Sequence, residues 1–294
     1  MDWLLEPLGF EFVRNALAIA TILGVLCSVV GSYLIVQKMG LLGDVIAHAV
    51  LPGLAIAFFL GIDIFIGAFI SGTLSTFVIT WIQSQSRIKA DVAMAIVFSG
   101  FLALGIALIT ILKSKIDLHS FLFGDILGVT IADVMRTLVI SLLVLILVKL
   151  FYKELLIYTF NPLAAQAMGL PVNWIHSGLT AAITLTIIVS MQSVGVVLVV
   201  ALLVGPAITA YLLVKQLHLM MGMGAIFGVI SGVSGIYLSY YWNIPSGASI
   251  VLVVCGFFTL ALFLSPSQGI LTRPGTANRS RKLFQQLKQL RRSA

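Results

Sequence analysis

Five stretches without a formal charge decide what this chain can become. Residues 15–37 and 64–86 run 23 residues each and 92–112 runs 21, while 155–214 and 216–272 are each long enough for two such runs. About 20 predominantly apolar residues cross a bilayer core as a helix, and a helix satisfies all of its own backbone polar groups there. The pattern therefore predicts an all-α fold, a polytopic helical membrane protein. Composition agrees: 60% of the 294 residues are hydrophobic, 9% are charged, and mean hydropathy is +1.15. Soluble domains are about a quarter charged. Cys27 and Cys255 both fall in apolar segments and read as small core residues rather than a disulfide or metal pair.

Spans are expected near 15–36, 45–61, 64–83, 92–112, 130–149, 177–191, 194–214, 222–241 and 247–264. The sixth and seventh together hold about 37 residues, short for two full crossings at about 20 each. One of them is expected to be partial or broken, and an eight-span reading stays open. The first segment follows Asp2, Glu6 and Glu11 instead of a basic n-region, so it reads as a retained helix rather than a signal peptide. Residues 1–272 form one transmembrane domain and 273–294 a basic tail, which holds Arg273, Arg279, Arg281, Lys282, Lys288, Arg291 and Arg292 and no acid. Such a tail marks the cytoplasmic side, with attraction to anionic lipid headgroups as a second role, and is no nucleic-acid signal. An odd span count then puts the N-terminus outside. Lys38, Arg87, Lys89, Lys149, Lys153 and Lys215 fall inside; Asp63 falls outside, and Lys113 and Lys115 violate the rule. Tyr33, Trp81, Tyr152, Tyr240, Tyr241 and Trp242 stand near span ends as interface anchors. Gly224, Gly228 and Gly232 repeat a small-residue spacing that serves a close helix contact, within the subunit or with a partner.

Ionisable groups inside a membrane are costly and normally face a polar path or a partner. "GLLGDVIAHAVLPG" places Asp44 and His48 four apart, one turn from each other on a single helix face. Carboxylate plus neutral imidazole suits first-row divalent metals, and two ligands bind loosely enough for an ion to leave. The competing reading has Asp44 accepting backbone hydrogen bonds at the helix start and His48 donating to a nearby carbonyl. Pro52 removes a donor from the same segment and can bend it. Asp125 is a candidate for the outer mouth of a cation path or for a cap on the fifth helix, and His119 is a weak ligand candidate beside it. Asp133 and Arg136, three apart, are expected to pair. His176 and His218 read as interfacial polar residues. Gln192 and Ser193 either bond across helices or line a cavity.

"YKELLIYTFNPLAAQAMGLPVNWIHSG" is the most informative nonspanning piece, on the cytoplasmic side by parity. Asn161 and Pro162 suit a helix start, Gly169 and Pro171 a stop, leaving one or two turns with Leu163, Ala164, Ala167, Met168 and Leu170 apolar. The piece either packs on the underside of the bundle or docks in a groove on a soluble partner. The chain carries no G-x-x-x-x-G-K-[ST] and no protease H-E-x-x-H, so ATP-driven work here needs a motor on another chain.

From about Phe12 to Pro266 the chain resembles the transmembrane permease of the ABC-type divalent-metal uptake systems, the zinc, manganese and iron importers, and most of all their manganese permeases. The stretches that carry the likeness are "VVGSYLIVQKMGLLGDVIAHAVLPGLAIAF", "DVAMAIVFSGFLALGI", "SFLFGDILGV", "FNPLAAQAMGLPV" and "SVGVVLVVALLVGPAITAYLL". The resemblance implies an ABC-3-type permease similar to type II ABC importers, built as a homodimer in the bacterial plasma membrane. Its partners would be two ATPase subunits, which use the ATP, and an extracytoplasmic metal-binding lipoprotein or periplasmic binding protein. This chain itself would bind no cofactor, be no enzyme, and pass a divalent ion, manganese first and zinc or iron as alternatives. The resemblance further implies that Asp44 and His48 meet the ion in a central path, and that 161–172 is the coupling region, with the segment around Asp125 at the mouth. An ion-coupled secondary transporter is the rival from another class.

Overall fold

A computed structural model describes residues 6–112 and 124–265. Among these, nine helical segments are long and apolar enough to cross a membrane. Helix α1 (Glu11–Val36) is the first; the second span, Leu42–Leu60, is made of α2 (Leu42–Ala49) and α3 (Leu51–Leu60). Then come α4 (Ile64–Gln85), α5 (Ala90–Ile111) and α6 (Ile131–Leu150), two short helices α7 (Tyr152–Phe160) and α8 (Pro162–Ala167), and the spans α9 (Val172–Val194), α10 (Val196–Leu213), α11 (Leu217–Trp242) and α12 (Ser246–Leu264).

The expected partial helix at the sixth or seventh position is not there. α9 starts at Val172, five residues before the reading from sequence, because Pro171 at the N-cap leaves the polar residues Asn173 and His176 free to join the helix. The break lies in the second span instead. Pro52 has no N–H to offer and its ring crowds the preceding turn, so the helix parts at Val50. The carbonyl of Ala49 accepts from the Ser71 hydroxyl at 2.6 Å, which satisfies at the break a group that lipid could not.

Close backbone approach organises the bundle. α1 and α11 cross where Gly24 faces Gly228: a Cβ on either would collide with the other's backbone, so only glycine fits. The Gly224, Gly228 and Gly232 face therefore serves a contact within the subunit, against Ala20, Gly24 and Ser28. A second such crossing joins α3 to α4 at Gly53 and Gly67. Around these contacts α5, α6 and α12 keep most of their apolar surface exposed, as lipid-facing helices do. Tyr33 departs from its expected place at the interface: it is fully buried, since α1 continues to Val36 and turns that ring inward. Cys27 is buried as expected, whereas Cys255 lies on the exposed side of α12.

The helix ends sort into two groups. One gathers α7, α8 and the start of α9 with the end of α1 and the end of α4, tied by Gln37–Thr159 and Thr80–His176 contacts. The opposite end holds Asp63, Arg136, Met191 and Gln192 around a cleft of about 710 Å3. There Arg136 Nη2 lies 3.5 Å from Asp63 Oδ2 and its guanidinium sits 4.7 Å over the Phe65 ring. Arg136 thus pairs with Asp63 and not with Asp133. The Asp133 carboxylate is taken by a capping box with Thr130, which satisfies free donors in the first turn of α6.

Candidate metal site and coupling helix

Helix α2 is two turns long and buried on nearly every side: Leu42, Gly43, Val45, Ile46, Ala47 and Ala49 all pack inside. Asp44 and His48 break that rule together, with side chains 43% and 17% exposed. No side chain caps the helix start, so Asp44 is not spent there. His48 Nδ1 stands 3.0 Å from the Asp44 carbonyl oxygen and 3.4 Å from Asp44 Oδ1. A carbonyl only accepts, so Nδ1 carries the hydrogen and Nε2 of the neutral ring keeps its lone pair. Fixing one ring nitrogen by a hydrogen bond and presenting the other is how histidine is prepared to ligate a metal. The edge of the His48 ring meets Phe98 of α5 at 5.0 Å between centroids and 70° between planes, which holds its rotamer. The expectation that His48 donates to a carbonyl and the metal-ligand expectation are therefore compatible: they use different nitrogens.

Among the described residues no group of three or more His, Cys, Asp and Glu side chains gathers at one place. Among those residues, one copy of the chain offers a carboxylate and an imidazole here. On either side of Phe98, which touches His48, α5 exposes the small residues Ala95, Ser99 and Gly100.

Asp125 does not join Asp44 and His48 in a cluster. Its carboxylate accepts from the Leu127 N–H at 3.1 Å and caps the 3-10 turn Ile126–Gly128, while Thr130 caps the fifth span in its place. His119 lies outside the described residues, as does the tail 273–294. Gln192 lines the cleft beside Asp63, and Ser193 bonds to Thr137 at 3.3 Å. His176 is more than an interfacial polar group, being bonded on both ring nitrogens.

α8 forms as its sequence asks. The Asn161 side chain accepts from the Ala164 N–H at 3.1 Å, Pro162 takes the first turn, and Gly169 ends the piece at φ 78°. Ala165, a residue the sequence reading passed over, is the fully buried one. Anchoring by that methyl turns the larger side chains outward: Leu163 is 78% exposed and Met168 66%, with Asn161, Pro162, Ala167, Gly169 and Pro171 also exposed and Ala164 and Leu170 half-buried. Phe160 and Trp174, which flank the piece in sequence, are also exposed. A helix that presents its Leu and Met to solvent, away from its own bundle, has the features of a contact surface.

The ABC 3 transport family model matches residues 9–265. The manganese transport system membrane protein MntC of Halalkalibacterium halodurans is 44% identical over 279 residues, which cover 95% of this chain and 96% of that protein. The "Probable iron transport system membrane protein" of Haemophilus influenzae is 41% identical, over 90% of this chain and 97% of that one. Among solved structures, PsaBC from Streptococcus pneumoniae in complex with Fab superposes with a TM-score of 0.82 at 43% identity, over 91% of this chain and 96% of its own.

Proposed function

The chain belongs to the ABC 3 transport family, and we propose that it is the permease subunit of an ATP-driven importer of manganese ions. The observation that carries this reading is an incomplete donor set: a carboxylate and an imidazole share the open face of an otherwise buried helix, with no third such group gathered there among the described residues. A second copy across a two-fold axis supplies the missing pair, giving two carboxylates and two imidazoles around one ion. The exposed small residues of α5 beside Phe98 let the two copies approach closely. Manganese is favoured because relatives that match nearly full length are named as manganese transporters. The donor set itself also accepts iron(II) and zinc, and the iron-transport relative keeps iron(II) as the second reading.

In this reading the end that carries α8 faces the cytoplasm, with Lys38, Arg87, Lys89, Lys149, Lys153 and Lys215 beside it. An ATPase subunit takes the exposed Leu163 and Met168 of each copy into a groove. The cleft around Asp63, Arg136 and Gln192 opens outside, with Asp125 at the same mouth, below a docked metal-binding protein. The ion passes from that protein to Asp44 and His48. ATP binding and hydrolysis on the partner chains then move α8, rock the two halves and open the site inward. Residues 1–272 act as one transmembrane unit, and the tail follows on the cytoplasmic side.

The test is radiolabelled manganese uptake into proteoliposomes holding the permease, its ATPase and its binding protein. Asp44→Ala is expected to abolish uptake while the dimer still assembles. Uptake at the unmodified rate would overturn the assignment, and saturation by iron(II) well below manganese would move the substrate to the second reading.

A further inference from the structure

The last turn of α7 touches two other parts of the bundle through adjacent residues. Thr159 and Tyr158 stand two and three positions before Asn161, the cap of α8, and both are buried. Thr159 Oγ1 accepts from Gln37 Nε2 at 3.3 Å. Gln37 closes α1, and Lys38, in the left-handed region at φ 59°, turns the chain toward the start of α2. The first arm thus runs from α8 to the N-terminal end of the helix that carries Asp44.

The second arm has a direction that the atoms fix. Thr80 Oγ1 donates to the Thr76 carbonyl at 2.9 Å, so its hydrogen is spent. His176 Nε2, 3.1 Å away, must then be the donor to Thr80 Oγ1. A neutral ring with Nε2–H leaves Nδ1 to accept, and the Tyr158 hydroxyl donates to it at 2.7 Å. The chain of bonds therefore runs Tyr158 to His176 to Thr80 on α4. Nine residues along α4, about 13 Å at 1.5 Å per residue, the Ser71 hydroxyl donates to the carbonyl of Ala49. Ala49 is the residue after His48, at the break that separates α2 from α3.

We infer that Tyr158 and Thr159 are positioning residues that carry displacement of α8 to the two ends of α2, and so set the geometry in which Asp44 and His48 hold the ion. This rests on the reading of α8 as the ATPase contact and of Asp44 and His48 as ion ligands. α2 suits the role: it is eight residues long, has a turn before it and a break after it, and is gripped near both. From the buried Tyr158 and Thr159 the bonds pass to the half-buried Gln37 and His176 and the exposed Thr80, and such linked hydrogen bonds transmit shifts because each donor and acceptor must keep its geometry.

Paired measurements of ATP hydrolysis and manganese uptake in the same proteoliposomes test it. Thr159→Val and Tyr158→Phe each keep the shape and lose one hydroxyl. Each is expected to leave ATP hydrolysis within about twofold of the unmodified complex and to lower ions moved per ATP about fivefold, the factor that corresponds to one hydrogen bond. Thr159→Ser is expected to restore the ratio, which a purely space-filling role would not require. An unchanged ratio in both single variants, or a Ser variant as uncoupled as the Val variant, overturns the inference. Should either variant fail to assemble, Gln37→Met and Thr80→Val cut the same arms from the far side and are read by the same ratio. Asp44→Ala in parallel separates the two levels: its loss of uptake beside an unchanged ratio in the α7 variants sinks only the relay, whereas normal uptake in Asp44→Ala sinks the reading beneath it.

Discussion

Gly53→Ala is the substitution whose consequence the packing specifies most fully. A Cβ at position 53 would strike the Gly67 backbone and come within 2.6 Å of Ser71 Cβ. Carbon atoms rest at about 3.5–4.0 Å, so α3 and α4 must separate by about 1 Å. That opens Ser71 Oγ···Ala49 O from 2.6 Å to about 3.6 Å, where a hydrogen bond no longer exists. Overpacking costs about 1–3 kcal/mol and the lost bond about 1 kcal/mol, so about 2–4 kcal/mol is expected in all. For a chain of this size that is a fall of about 5–10 °C in the melting temperature. Because the lost bond sits one residue from His48, manganese uptake is expected to fall with it. Thermal unfolding of the detergent-solubilised protein, followed by size-exclusion recovery, reads the first effect. Gly222→Ala is the matched control: nothing lies within 4 Å of a Cβ there, so the helix gains about 0.5–1 kcal/mol and melts higher. A Gly53→Ala protein that melts with the unmodified one, while the control rises, would refute the crossing as the support of the break.

Leu163→Glu places a charge on the most exposed apolar side chain of α8, and we expect the ATPase subunit to be lost on co-purification while the permease melts unchanged, because the residue is 78% exposed and holds nothing in the fold. Arg136→Gln removes an ion pair exposed on both sides; a stability change below about 1 kcal/mol is expected, shrinking further in high salt. A large and salt-independent loss there would mean that the stacking of Arg136 on Phe65 is the stronger contact.

The spans were legible because a bilayer demands about 20 uncharged residues and the sequence carries its charges between such runs. Asp44 and His48 were legible for the same reason: two ionisable groups at i,i+4 in an apolar run share a face wherever the helix packs. What escaped was set by partners far along the chain. Arg136 had an acid three residues away, yet Thr130 claimed Asp133 and the guanidinium found Asp63 on a different span. Tyr33 looked like an interface ring because it stands near the end of the expected first span, and only the packing of α1 against its neighbours shows it buried. The start of α9 was placed too late because Asn173 and His176 read as loop, and the partners that absorb His176, Tyr158 and Thr80, sit 18 and 96 residues away. The break at Val50 had a visible sign in Pro52, but its location in the second span rather than the sixth or seventh depended on Ser71 being there to satisfy the Ala49 carbonyl.

The shortest α-helix among the described residues has a bearing on how such machines diversify. α8 is fastened by an asparagine cap and one buried methyl, and every large side chain it owns points away from the rest of the protein. Its outward residues can therefore drift without disturbing the membrane bundle. A cell with several related transporters could keep each motor with its own channel by altering two or three positions on this one surface, leaving the ion's route untouched.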